Sequence, residues 1–264
     1  MRRRAAGLLF LLSLLIPMPA AGGERDLSEL DAWVGRYAME LRIASSMKLP
    51  LLPSERSVTT SLLLVDLERD GGKLVQRHRV CDVRMEGSSL VRAVVPLAFV
   101  EGLPARQYAA LLRPVGMGEG EGGAGGWLYR ADMGPEAIGF DPQATGGRLP
   151  TASGDPGVRD SDGDGHPGAT IELRVPAFRR VRLFIAQHSH LVLQGRQPAR
   201  DRIEGEVEIR RLDQRTLGAE PGFFSRTPSL RPDAARSGFT LVRVPESLDC
   251  ERLREAASSF FRQR

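Results

Sequence analysis

The sequence predicts an all-β fold, an antiparallel β-barrel with a β-sandwich as the alternative, and three observations lead there. Apolar and polar residues alternate with a period of two in stretch after stretch, the pattern of half-buried strands. Breaks rich in glycine and proline separate these stretches, and the chain holds 29 Gly and 18 Pro in 264 residues. Apart from a short stretch near residue 105, a helical period is confined to the final segment. Many strands without long helices between them build a sandwich or an up-and-down barrel.

The first element is a leader. Arg2, Arg3 and Arg4 are followed by an apolar run from Ala5 to Ile16, then Pro17, Met18 and Pro19 and the small residues Ala20, Ala21, Gly22 and Gly23. These are the three parts of a secretory signal peptide, residues 1–22, with cleavage after about Ala21 or Gly22. The run is shorter than the roughly 20 apolar residues that span a bilayer and ends in helix-breaking prolines. No cysteine follows it to accept a lipid. The expected mature protein is therefore secreted or periplasmic, soluble and without a membrane span.

The formal charge of +4 falls to +1 once the three leader arginines are removed. Lys48 and Lys73 are the only lysines, and no basic block is interleaved with aromatics, which argues against a nucleic-acid partner. Cys81 and Cys250 are the only cysteines. An even count in an exported chain predicts one disulfide between them, and the absence of any CxxC pair argues against zinc clusters and thioredoxin-like chemistry.

In the mature chain, residues 27–264 read as one domain. Trp33, Gly35, Tyr37, Met39, Leu41 and Ile43 share one side and Arg36, Glu40 and Arg42 the other, so 33–44 is a strand. Residues 57–69 and 73–85, joined through Asp70, Gly71 and Gly72, predict a hairpin that carries Cys81. A strand is expected over 89–96, a short helix over 105–112, and extended segments over 127–133 and 137–140. Residues 171–175, 181–188, 203–210 and 239–244 alternate again, and 248–261 places Leu253, Ala256, Ala257 and Phe260 at helical spacing. Long loops fall at about 114–126 and 141–168, the first almost wholly glycine and glutamate. Outward positions hold Arg and Glu where an outer-membrane barrel would need apolar side chains.

One stretch carries chemistry. Asp160, Asp162 and Asp164 alternate and are followed by Gly165 and His166. Calcium takes 6–8 hard oxygens, and a loop with acids at its first, third and fifth positions and glycine at the sixth can wrap it. Asp160, Asp162 and Asp164, with the His166 carbonyl, are the expected ligands of a structural Ca²⁺. An acidic solvated turn would use the same residue types. His188 and His190, two apart on a strand, share a face with Arg180 and Arg182, whose cations disfavour a metal, and an exposed polar face is the expectation there. His78 and His166 have no partner visible in sequence. A hydrolase would need acids such as Glu86 or Asp132 to converge, and no catalytic motif is present.

Residues 160–168 resemble the first half of an EF-hand loop and the DxDxDG loops of thrombospondin type 3 and dockerin modules. They depart from the EF-hand at its twelfth position, which is Ile171, with Glu172 one place later. Trp33, Gly35 and Tyr37 resemble the opening of lipocalin-like barrels, although lipocalins set glycine before the tryptophan. That resemblance implies a cup of eight or more strands able to hold a small apolar ligand. The expected function is a non-enzymatic, calcium-stabilised exported barrel that carries such a ligand. The alternative is an envelope or extracellular protein whose loops bind a protein or glycan.

Overall fold

The computed structural model describes residues 30–262 apart from 49–54, 72, 88–91, 116–125, 176–177, 200 and 227–228. The leader and most of the first glycine-rich loop lie outside the described residues. Ten strands form one antiparallel sheet: β1 (Gly35–Lys48), β2 (Glu55–Asp70), β3 (Lys73–Glu86), β4 (Arg92–Val94), β5 (Arg106–Pro114), β6 (Trp127–Ile138), β7 (Ala169–Val175), β8 (Phe178–Ala199), β9 (Arg202–Glu220) and β10 (Ser229–Arg243). Helix α1 (Leu97–Gly102) follows β4, a 3₁₀ turn spans Gly222–Phe224, and helix α2 (Cys250–Phe261) ends the fold.

Pairing of β2 with β3 closes eight strands into a ring, β1-β2-β3-β5-β6-β8-β9-β10. The predicted barrel is therefore present, but it is irregular in two places. Between β3 and β8 the wall is built twice. β5 pairs with the first half of β3 (Leu74–His78) and β6 with the second part of β8 (Gln187–Arg196), whereas β4 and β7 bridge the remaining halves, at Arg84↔Val94 and Ala169↔Ile185. Opposite, β9 and β10 pair only over Arg202–Glu206 and Gly238–Val242. Beyond that point β9 follows β8 to Glu220, and β10 follows β1 to Ser229. The ring is thus closed at the Trp33 end and split at the other.

Alternation decides what lies inside. Trp33, Tyr37, Met39 and Leu41 meet Leu63, Val65, Leu74, Ala110, Tyr129, Leu193, Ile203, Phe239 and Leu241 in one buried cluster fed by all eight ring strands. This half of the barrel is filled by its own side chains. At Gly205, directly opposite Gly195, an added Cβ would stand 2.0 Å from the Gln194 carbonyl oxygen, so the close β8–β9 crossing there needs glycine.

The outer face of β1–β3 is covered as well. Ala38, Leu62 and Leu64 lie under α2, whose Leu253 is fully buried. Asp249 starts that helix by accepting the Arg252 N–H at 2.9 Å. A register shift between Leu62 and Leu63 leaves Cys81 as the extra residue of a bulge. The bulge puts Cys81 in the outer cluster and not in the barrel, where it bonds Cys250.

Several expectations need correction. Residues 105–112 are strand and not helix, because Tyr108, Ala110 and Leu112 alternate onto the core and pairing with β3 and β6 overrides the helix propensity of alanine and leucine. The helix instead forms just upstream, directly after Pro96. Residues 127–133 and 137–140 are not two segments: a single strand, β6, runs to Ile138 with an irregularity between Asp132 and Pro135. Nor are the strands uniformly short, since β8 has 22 residues and β9 19.

Candidate metal centre

After Ile138 the chain leaves the sheet and returns as β7 at Ala169, and the intervening residues 139–168 form a clasp. Its base is knitted by backbone groups: Arg159 N–H donates to Gly139 O (3.1 Å), Gly168 N–H to Arg159 O (2.9 Å) and Ser161 N–H to Gly168 O (2.8 Å). Gly139 and Gly168, at φ 79° and 89°, both press on the Ile185 carbonyl, and a Cβ on either would lie within 2.4 Å of it. Phe140, Leu149 and Val158 lay the clasp across Ala186 and Leu217 on the outer face of β8 and β9.

The aspartates sit where the clasp turns back to the sheet. Asp160 caps the turn, accepting N–H groups of Gly163 (2.7 Å), Asp164 (3.2 Å) and Gly165 (2.8 Å). Asp164 accepts the His166 N–H and the Thr170 hydroxyl, and Asp162 Oδ2 accepts the Thr170 N–H at 2.8 Å. Each of the three offers a carboxylate oxygen within 4.8 Å of the others, so together they could hold a metal ion. Asp162 Oδ1 is buried and has no hydrogen-bond partner. Burial raises the Asp162 pKa, and the neighbouring Asp164 adds to the rise. Burial also works against ionisation of Asp160, but the N–H groups of Gly165 and Gly163 outweigh it and hold that pKa below the usual range. On the far side, Gly102 at the end of α1 abuts the loop, for an added Cβ would be 2.2 Å from the Ser161 carbonyl oxygen.

The turn chemistry therefore leaves one bare oxygen in a tight group of carboxylates. Hard oxygens at this spacing fit a cation such as Ca²⁺ and offer nothing to a soft metal. The His166 side chain turns aside: its ring stacks on Phe184 at 4.3 Å and its Nε2 is 3.0 Å from an Arg182 nitrogen.

No family model, curated protein or solved structure matches the chain.

Of the other sequence candidates, His190 and Asp132 are brought together, whereas His188 and Glu86 lie apart from them. His188 is not on an exposed face. The clasp buries it, its ring meets Phe140 edge-on at 5.9 Å, and burial followed by the Arg211 charge lowers its pKa. His190 instead meets Asp132 at 2.7 Å, and Arg210 joins the same carboxylate at 2.8 Å. Glu86 lies opposite Val58 on β2, and Asp132 opposite Val192 on β8.

Sequence reasoning missed a polar layer inside the barrel. Gln76 and His78 follow Leu74 on the inward face of β3. Tyr129 donates to Gln76 Oε1, Gln76 Nε2 donates to the Tyr108 hydroxyl at 2.8 Å, and that hydroxyl is 2.7 Å from His78 Nδ1. Because the Tyr108 oxygen already accepts a proton from Gln76, its own proton is free to go to His78 Nδ1. Burial, and then the Arg106 charge, pull the His78 pKa down to about 4, so the ring is neutral. The signal was legible in principle: two polar residues at inward positions of a strand must find each other or another buried partner.

Proposed function

We propose that the protein is an exported, non-catalytic barrel whose clasp, residues 139–168, is fixed by a bound Ca²⁺, and that it acts in the cell envelope or outside the cell by binding partners on its outer surface. The observation that carries this reading is the carboxylate group Asp160, Asp162 and Asp164 with the bare Asp162 Oδ1. A divalent cation would supply the partner that oxygen lacks and relieve the repulsion between the three charges, and the His166 carbonyl would join as a further oxygen. The disulfide and the signal-peptide pattern support an oxidising destination, where millimolar calcium makes a weak loop useful. Among the described residues no helix is long and apolar enough to cross a membrane.

Recognition on the outside is favoured over carriage because the closed half of the ring is filled by Tyr37, Met39, Leu63, Tyr129, Leu193 and Leu241. Calorimetric titration of calcium into chelator-stripped protein should reveal one site with a dissociation constant of about 10⁻⁴ to 10⁻³ M. Absence of heat in that range, with the protein folded, would remove the calcium reading. A second reading, carriage of a small apolar molecule with one polar group, is favoured by the neutral layer of Gln76, His78, Tyr108 and Tyr129. Native mass spectrometry finding no co-purifying lipid, with no response to hydrophobic dyes, would dispose of it.

A further inference from the structure

We propose that helix α1 is a plug in the split half of the barrel, held shut by the aspartate clasp, and that its release opens the barrel to an apolar molecule with one polar group. The inference rests on the calcium reading for what tightens the clasp, and it gives the carriage reading a place in the molecule. Along the inner face two apolar clusters are parted by a polar belt. On β8, Leu191 and Leu193 belong to the filled closed half, Ser189 and Gln187 follow on the same face, and Ile185 and Leu183 belong to a second cluster. On β3 the order is the same: Leu74, then Gln76 and His78, then Met85. The second cluster takes in Ile171 and Leu173 of β7, and its aromatic member is Phe99 of α1.

α1 is the weakly held member of that cluster. It has 6 residues, too few to be stable alone, and buries only Phe99 and Val100. Among the described residues no side-chain hydrogen bond or ion pair ties it to the rest of the fold, and Pro96 at its start supplies no cap. β9 and β10 are parted in this half, so the strands alone do not seal it. The end of α1 rests on the clasp: a Cβ on Gly102 would be 2.2 Å from the Ser161 carbonyl oxygen and 3.4 Å from the Asp162 Cα. Ser161 and Asp162 lie between Asp160 and Asp164, so whatever orders the three carboxylates also orders the surface that α1 leans on. An element with so few buried contacts opens at low cost, and fixing its seat raises that cost. With α1 withdrawn, Ile171 and Ile185 would line an apolar chamber. Its inner end is the belt of Gln76, His78 and Tyr108, which holds donors and acceptors for a single polar group. A pocket of this kind belongs to a minor conformation that a ligand can make dominant.

The test uses protein purified after export, hydrogen exchange read by mass spectrometry, and anilinonaphthalene sulfonate, an apolar dye with one polar group, as the probe. Calcium at about ten times its dissociation constant should slow exchange over residues 96–103 and lower dye binding, each by up to about tenfold relative to chelator. Gly102→Ala, whose Cβ pushes α1 off the clasp, should bind calcium but lose both responses. Phe99→Ala, which keeps the contact and empties the plug, should take up dye in calcium as well. Circular dichroism checks that each variant is folded. If calorimetry shows calcium heat but neither exchange nor dye binding responds, or if folded Gly102→Ala responds as the wild type does, the proposal falls and the calcium site stands. If calorimetry shows no heat, the calcium reading falls and the plug is judged in chelator. There Gly102→Ala and Phe99→Ala should each exceed the wild type in exchange over 96–103 and in dye binding, and no excess in either would overturn the proposal.

Discussion

Substitution of Asp162 by Asn gives the sharpest test of the clasp, because the structure predicts opposite behaviour with and without calcium. The amide is nearly isosteric and its oxygen can keep the 2.8 Å bond from the Thr170 N–H. Without calcium the change removes a half-buried carboxylate whose Oδ1 has no partner and which is crowded by Asp164. The variant should therefore be at least as stable as the wild type in chelator. With calcium the order reverses. A ligand at about ten times its dissociation constant stabilises the folded state by about 1.4 kcal/mol. For a domain of this size that raises the melting temperature by roughly 3 to 6 °C.

The assay is thermal unfolding followed by circular dichroism, run in chelator and then in millimolar calcium, for both proteins. The wild type should gain the few degrees just given, and Asp162→Asn little or none. Equal gains would place any calcium elsewhere. A variant clearly less stable than the wild type in chelator would show that the charged form of Asp162 is held by interactions other than those described, and the argument from its bare oxygen would fail.

Three further predictions concern the frame. The Cys81–Cys250 bridge closes a separation of 169 residues, for which the chain-entropy model gives a stabilisation of about 5 kcal/mol, an upper value; Cys81→Ser with Cys250→Ser should lower stability by about 2 to 5 kcal/mol in denaturant melts, and a loss under 1 kcal/mol would mean that α2 holds without it. Gly205→Ala should destabilise strongly, because the new Cβ would meet the Gln194 carbonyl oxygen at 2.0 Å and the Gly195 Cα at 2.4 Å; an unchanged urea midpoint would refute the close crossing. Burial holds the folded-state pKa of His78 at about 4, below the unfolded value of about 6.5. The unfolded chain then binds the extra proton first, so stability present at pH 7 drains away as the pH falls from about 6.5 to about 4, by up to roughly 3 kcal/mol. In urea melts across that range His78→Gln should show a shallower slope, and identical slopes would exclude a buried neutral histidine.

Most of the frame was legible because it follows from alternation. Tyr37, Met39 and Leu41 pointed inward, and Ile171, Leu173, Val181, Leu183 and Ile185 shared a face, as their spacing requires. The amphipathic end of the chain became α2, and an even count of cysteines became a bridge. Residues 105–112 were misread because alanine and leucine favour a helix locally, whereas the gap beside β3 demanded a strand. His188 was misread for a related reason. Its position on an outward face was right, but that face is covered by a clasp whose path is set by Gly139, Gly168 and the apolar residues Phe140, Leu149 and Val158.

What sequence could not supply is the relation between elements far apart in the chain. Gln76, Tyr108 and Tyr129 come from three strands, and only ring closure turns them into one hydrogen-bonded layer. The split between β9 and β10 was likewise not legible, since only 203–210 and 239–244 alternate and the longer reach of each strand comes from its pairing with β8 or β1. β10 is diverted where Ala234, Ala235, Arg236 and Ser237 fall out of register with β1 and where Pro232 offers no N–H to a neighbour. Pro232 protects the exposed edge from unwanted strand addition. The opening is thus built into the strand that borders it.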